Sequence, residues 1–360
     1  MNCLLCADVH LKEAEKAYCL FVLNELVFLC EREKCGALFF AGDVFDSRPD
    51  AEALRGDFRA CLDRLSPDVR VFFLPGNHEE LRASGMPALE SLDFGRARLL
   101  SEKPFSFEVL DGSSELLALP FQKDYSDYRS WEVPPKTGAL RILLAHGTVP
   151  GITYTGPEED DDGGVLDADI FAYFGADLAA LGHLHGHSVT AFGKTCVAYP
   201  GSARVWREGE AGPRQVLVFS TDKMPPRPRP LALAAAGEYR VVPVYAAPGG
   251  DLRGPDEKEM AGWKAADWLR LEVSGVVEDE VPVMDALREM QAGLKKKFRR
   301  VTQSAENLSV LQGISSHPLA RRFLEKWEKD AGRYSASGDA YFLARLKGLA
   351  AIKEILEGKK

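Results

Sequence analysis

Ala37-Leu38-Phe39-Phe40-Ala41-Gly42-Asp43-Val44-Phe45-Asp46 decides the fold of this chain. An apolar run stops at a glycine, and a carboxylate follows at once. A short run that is apolar on both faces reads as a strand covered on both sides. The pattern recurs on either side of it. Upstream, residues 2–7 read as a strand ending in Asp8-Val9-His10, with a helix over 12–32 between the two. Downstream, a helix over 51–65 leads to a strand over 69–74 that runs into Gly76-Asn77-His78-Glu79. Later strands are read at 116–119, 140–145, 178–181, 196–199 and 215–220, with His146-Gly147 and Gly182-His183-Leu184-His185 at two of their ends. Alternating strands and helices give an α/β class, and the later, helix-poor strands suggest a second sheet with more hairpins.

The Pro-rich stretch 225–230 reads as a boundary, and a strand over 239–245 is expected to return to the first domain. The expected organisation is a main domain over 1–250, a small α+β cap over 251–315 and helices over 316–360. In the cap, strands at 269–277 and 298–303 flank a helix at 283–294; the closing helices lie near 318–330 and 339–357.

Composition narrows the class. The chain has 360 residues, 46% hydrophobic and 28% charged, with 32 Gly and 21 Pro. That is ordinary globular usage, excluding collagen-like or disordered chains, and the length supports a core without disulfides. Seven cysteines, an odd number set mostly in apolar runs, fit reduced thiols in a cytosolic protein. Cys3 and Cys6, three apart in a strand, face opposite sides, which argues against a paired metal or redox role. The N-terminus lacks a basic, apolar leader, and no apolar run reaches membrane-spanning length, so a soluble, cytoplasmic protein is expected. Net charge is −9, unlike a generic basic nucleic-acid coat. Residues 251–360 carry 20 Lys and Arg against 18 Asp and Glu, whereas 1–250 carry 25 against 36. An acidic first part can still bind phosphate if cations supply the missing charge.

Five motifs carry the chemistry, each at the end of an apolar strand, where loops of an open α/β sheet converge. Alone, each reads as a turn. Together they offer carboxylates, imidazoles and one carboxamide, without a thiolate. Such donors suit Mn, Fe, Mg or Zn. About seven donors exceed the needs of one ion and suit two ions sharing a carboxylate, about 3.5–4 Å apart, able to clamp a phosphoryl group. Gly193-Lys194-Thr195 is not a nucleotide-binding loop, because Ser188 stands where the earlier glycine is required.

In this order the motifs resemble those of the calcineurin-like metallophosphoesterase superfamily, over about residues 1–220. The resemblance implies a four-layer αββα sandwich, two packed β-sheets flanked by helices, with two divalent metals at one edge. By that resemblance Asp8, His10 and His185 would hold one metal, Asn77, His146 and His183 the other, and Asp43 would bridge them. His78 would meet the scissile phosphate without binding metal, stabilising the transition state or protonating the leaving oxygen. Within the superfamily the chain is similar to the SbcD-type nuclease branch of double-strand-break repair. That similarity lies in Gly42-Asp43-Val44-Phe45-Asp46-Ser47, His146-Gly147-Thr148, Leu181-Gly182-His183-Leu184-His185 and Tyr199-Pro200-Gly201-Ser202. It implies a Mn-dependent DNA exo- and endonuclease with a cap that shapes the DNA groove, an SMC-like coiled-coil ATPase partner and a homodimer. The chain departs from that branch in three places. Glu79 stands where an Asp is usual, Asp46 stands where some relatives carry a second active-site His, and Val241-Val242-Pro243-Val244-Tyr245 replaces an arginine-bearing strand.

Other readings keep the same motifs. One is a phosphoesterase acting on a small phosphodiester, a cyclic nucleotide or a phosphoprotein; another is a non-catalytic scaffold for an ATPase. Lys295, Lys296, Lys297, Arg299 and Arg300 cluster around Phe298 as candidate DNA contacts, or as cations suited to a helix C-terminus. Glu158-Glu159-Asp160-Asp161-Asp162 forms an acidic run after His146. Phe342, Leu346, Leu349, Ile352 and Leu356 form a helical stripe that packs either on the cap or on a partner's coiled coil.

Overall fold

Strands of residues 1–232 assemble into two six-stranded sheets in a computed structural model that describes residues 1–80, 88–152, 164–314, 316–330 and 339–357. In chain order, β1 (Asn2–Cys6), α1 (Lys16–Arg32), β2 (Cys35–Ala41), α2 (Arg48–Leu62), β3 (Arg70–Leu74), the single turn α3 (Asn77–Glu80) and β4 (Ala97–Leu99) come first. Then follow β5 (Ser106–Asp111), β6 (Ser114–Leu119), β7 (Leu140–His146), α4 (Asp169–Phe174), β8 (Leu178–Gly182), β9 (Ser188–Phe192), β10 (Thr195–Tyr199), β11 (Gln215–Ser220) and β12 (Arg229–Ala232). The first sheet has the order β12-β11-β1-β2-β3-β4 and the second β5-β6-β7-β8-β10-β9. β6, β7, β8 and β10 run parallel, and hairpins close the two edges of the second sheet.

Side-chain alternation places each half of the pattern in its own layer. Cys3, Leu5, Phe39 and Phe72 pack between the sheets against Leu116, Ile142, Leu144 and Leu178. Cys6, Leu38, Phe40 and Phe73 face the other way, under Leu23, Leu26, Leu54 and Phe58 of α1 and α2. Leu117, Leu143, Ala179 and Leu181 form the outer core of the second sheet with Ile170, Phe171 and Phe174 of α4. These layers are the expected αββα sandwich. Cys3 and Cys6 lie in different cores, as their spacing requires. Gly193-Lys194 is the turn of the β9–β10 hairpin and opens no helix.

Two expectations about the C-terminal half are corrected. The Pro-rich stretch ends the connection from β11 and enters β12, which pairs antiparallel with β11, and the chain divides into compact units at Glu238/Tyr239. β12 takes Pro230 because it is an edge strand, where a missing amide costs no ladder hydrogen bond. The strand β13 (Tyr239–Ala246), expected to return to the first domain, pairs parallel along its whole length with β15 (Trp268–Val277). Val242 and Val244 drive that choice by burying against Leu269, Leu271 and Val273. The two-residue β14 (Leu252–Arg253) pairs only with Tyr245 and Ala246, so Pro243 again has no partner on that side.

The second unit is thus a four-stranded sheet, β14-β13-β15-β16 with β16 at Arg300–Val310, together with α5 (Glu280–Leu294), α6 (Pro318–Asp330) and α7 (Asp339–Leu356). Leu349 and Ile352 of α7 join Val276, Ile314 and Ala320 in a core, and Phe342 stacks on Tyr245 at 5.4 Å. The stripe therefore packs largely on its own unit, with Leu356 left 38% exposed. Among the described residues, no helix is long and apolar enough to cross a membrane.

Candidate metal centre

β1, β2, β3, β7 and β8 all end at one place, and the loops that leave them carry Asp8, His10, Asp43, Asn77, His78, His146, His183 and His185. Four of these residues sit at positive φ: Asp8 at 51°, His10 at 46°, Asp43 at 49° and His183 at 97°. Each such placement costs on the order of 1–3 kcal/mol and must be held by its surroundings. Here the loops hold one another. Asp8 N–H donates to the Gly42 carbonyl and His10 N–H to that of Asp43. The fully buried Arg204 donates through Nε to the carbonyls of Val9 and His10, both at 3.0 Å. Gly42, at φ +88°, must be glycine because a Cβ there would meet His146 Nδ1 at 2.1 Å.

The donors fall into two groups that share Asp8. Ligating atoms of Asp8, His10 and His185 all lie within 4.8 Å of one another, and so do those of Asp8, Asp43 and His146. Asn77 Oδ1 is 2.9 Å from His146 Nε2 and 3.3 Å from His183 Nδ1. Asp43 Oδ2 lies 3.4 Å from His146 Nε2 and 4.0 Å from both His10 Nε2 and His78 Nε2. Hence the structure brings all eight sequence-predicted residues together. Seven are buried, and the His78 side chain is the accessible one at 20% exposure.

The polarity of these contacts tests whether a cation fits. His146 Nδ1 donates to the Ala41 carbonyl at 2.8 Å, so a neutral ring presents a lone pair at Nε2. That lone pair faces two further acceptors, the oxygens of Asn77 and Asp43. His185 Nδ1 donates to Glu210 Oε1 at 2.5 Å, and its Nε2 faces His10 Nε2 at 3.2 Å. Acceptors converging in a buried space need a proton or a cation between them. Without metal, protons supply the balance unevenly. Burial opposes charge on His146, yet the carboxylate and hydrogen bond of Asp43 lift its pKa to about 9. Burial and the neighbouring His146 push His183 down to about 3, and burial holds His10 well below the usual imidazole range. Despite its burial, Asp43 is held well below the carboxylate range by His146, His78 and His10. Two divalent cations satisfy both groups of acceptors at once, so the donor set fits them.

Two residues around the site, Trp206 and Glu210, had no signal in the sequence, and a third, Glu79, stood there only as a departure from a pattern. Glu79, 2% exposed, accepts the backbone N–H of Asp43, Phe45 and Gly76 at 2.9–3.0 Å and so ties two ligand loops together. Burial and Asp43 raise its pKa to about 7. Glu210 orients His185, and Trp206 stacks on His10. Asp46 accepts from Lys12 Nζ at 2.6 Å, and its carbonyl accepts His78 Nδ1–H at 2.7 Å.

In the second unit, Lys295, Lys296 and Lys297 are exposed just after α5, with no ion pair among the described residues. Arg299 donates to the Ala266 carbonyl, and Arg300 lies 3.9 Å from the Trp268 ring centroid, so these two are engaged within the unit. The acidic run 158–162 lies outside the described residues.

Residues 1–187 match the calcineurin-like phosphoesterase family. No curated protein sequence matches significantly. Among solved structures, a dimetal phosphatase from Danio rerio is 12% identical, with 61% of this chain and 92% of that chain covered at a TM-score of 0.39. An archaeal phosphodiesterase is 11% identical, covering 64% and 100% at 0.33. A phosphopantetheinyl hydrolase from Mycobacterium tuberculosis is 14% identical, covering 56% and 90% at 0.35. Because the family match takes in more than half of the sequence and every ligand-bearing loop, this chain belongs to the calcineurin-like phosphoesterases.

Proposed function

We propose that the protein is a two-metal phosphodiesterase that cleaves DNA, with Mn as its metal and an SMC-like ATPase as its partner. The observation that carries the enzymatic part is the convergence of imidazole lone pairs and carboxylate oxygens from five strand ends. Asp8, His10 and His185 would hold one cation, Asn77, His146 and His183 the other, and Asp43 would serve both. The bound pair supplies Lewis acidity that polarises the phosphoryl oxygens and offsets charge developing in the transition state. His78 acts from the accessible side. Its Nδ1–H is fixed on the Asp46 carbonyl, which leaves Nε2 for the scissile phosphate. Nearby Asp43 favours the imidazolium, so that Nε2–H donates to a phosphoryl oxygen or to the leaving oxygen.

DNA as substrate is supported by the SbcD-like motifs and by three exposed lysines, 295–297, able to contact phosphates in a salt-dependent way. A specific observation favours a second reading, a small phosphodiester: residues 1–250 are acidic, with 25 Lys and Arg against 36 Asp and Glu.

Incubation of the purified protein with end-labelled linear duplex DNA separates these readings. Mn-dependent cutting is expected, lowered about 10²–10³-fold in His78→Ala while Mn binding is retained. Hydrolysis of an aryl phosphodiester without DNA cutting moves the substrate to the second reading. Hydrolysis of neither, in a protein that binds Mn, overturns both.

A further inference from the structure

We infer that Trp206 is the positioning residue that braces two carboxylates, Asp46 and Glu210, as the orienting partners of His10 and His185. This inference rests on the metal-site reading above and adds two residues, Trp206 and Glu210, that the five motifs do not contain. His185 already has its orienter, since Glu210 Oε1 lies 2.5 Å from Nδ1 in a side chain only 1% exposed. The other Glu210 oxygen accepts the Trp206 backbone N–H at 2.7 Å. From the same residue, the indole Nε1–H donates to Asp46 Oδ1. One residue thus reaches both carboxylates.

Its ring does a third thing. The indole lies parallel to the His10 imidazole, with centroids 4.2 Å apart and planes 11° apart. It also meets His185 and His78 edge-on at 5.2 and 5.5 Å. A fully buried His10 ring against that plane has little freedom to turn. Among the described residues His10 Nδ1 has no hydrogen-bond partner, and Asp46 Oδ1 stands 3.6 Å from it. That separation is just beyond hydrogen-bond distance, so a small shift of Asp46 would let it accept the Nδ1–H while Nε2 faces the metal position.

Asp46 could instead compete as a ligand, because its oxygens and the nitrogens of His10 and His78 lie within 4.8 Å of one another. Trp206 and Lys12 prevent this by engaging one oxygen each, Oδ1 and Oδ2. The chain so keeps Asp46 beside the site and gives each of the two histidines a carboxylate of its own. Outer partners of this kind are typically worth 10–100-fold in metal affinity.

Calorimetric titration of Mn into metal-stripped protein tests the brace. The wild type is expected to show two binding events. Trp206→Phe keeps an aromatic ring over His10 but loses the Nε1 donor; it should weaken one event about 10–100-fold and leave the other within about twofold. Asp46→Ala should weaken the same event, which keeps the test decisive if Trp206→Phe folds poorly. Paramagnetic Mn should also quench part of the tryptophan fluorescence in the wild type, and Trp206→Phe should lose that component while four tryptophans remain. Unchanged affinities in both variants, or equal weakening of both events, would overturn the brace. A wild type that binds no Mn fails before any substitution, and that result counts against the metal site itself.

Discussion

Replacing Asp43 by asparagine is expected to lower phosphodiester hydrolysis by on the order of 10³-fold or more, with the fold retained. Asparagine keeps the oxygen that accepts the His78 backbone N–H at 3.0 Å, so the loop has no reason to collapse. What disappears is a negative charge 3.4–4.0 Å from the nitrogens of His10, His78 and His146. On the proposed two-metal reading, that charge would serve both cation positions. Metal stabilisation of phosphoryl charge is worth several kcal/mol, and each 1.36 kcal/mol is about tenfold in rate. The same substitution should shrink the rise in melting temperature that Mn gives the wild type. For one site filled at about 100 times its Kd, that stabilisation is about 2.7 kcal/mol. An Asp43→Asn enzyme with wild-type kcat/KM at saturating Mn would remove the bridging role.

The second large effect is steric and concerns Gly182, the last residue of β8. A Cβ there would lie 1.9 Å from the Ala41 carbonyl oxygen and 2.9 Å from His146 Nδ1. The first of these atoms is backbone, in a central strand of the other sheet, and it also accepts the His146 Nδ1–H. Neither can move without parting the sheets where the ligands meet. Gly182→Ala should therefore cost about 3 kcal/mol or more, a fall of roughly 6–12 °C in melting temperature for a unit of this size. Gly56→Ala is the matched control. It lies inside α2 with nothing within 4 Å of the added carbon, so stability should stay or rise by up to about 1 kcal/mol. Equal melting temperatures for the two variants would mean that the sheets do not meet as closely as these distances say.

How much of this was legible follows from the range of each signal. Ligand loops could be read because every one pairs a local apolar run with a polar residue at its end. Chemistry and strand pattern coincide there within ten residues. The two-layered core could be read for the same reason, as the opposite faces of Cys3 and Cys6 show. Trp206 and Glu210 had no such signal. They follow β10 in an irregular segment, and Glu210 meets a histidine 25 positions earlier in the chain. A tryptophan and a glutamate four residues apart in a loop carry no spacing rule. Glu79 was visible but looked like a departure from a pattern, because its three backbone partners depend on how two separate loops meet. The strand over 239–245 was recognised, yet its partner was not. Its pairing with Trp268–Val277 is decided by a parallel register that no residue of the strand announces. Proline misled for a physical reason: it marks an interruption in a ladder, and an edge strand tolerates the same interruption that ends a domain.

Anomalous diffraction at the Mn edge, from crystals grown with Mn, tests the central claim most directly. Two peaks per chain are predicted, one among Asp8, His10 and His185 and one among Asn77, His146 and His183, with Asp43 between them. A single peak, or peaks away from these side chains, would contradict the two-metal site.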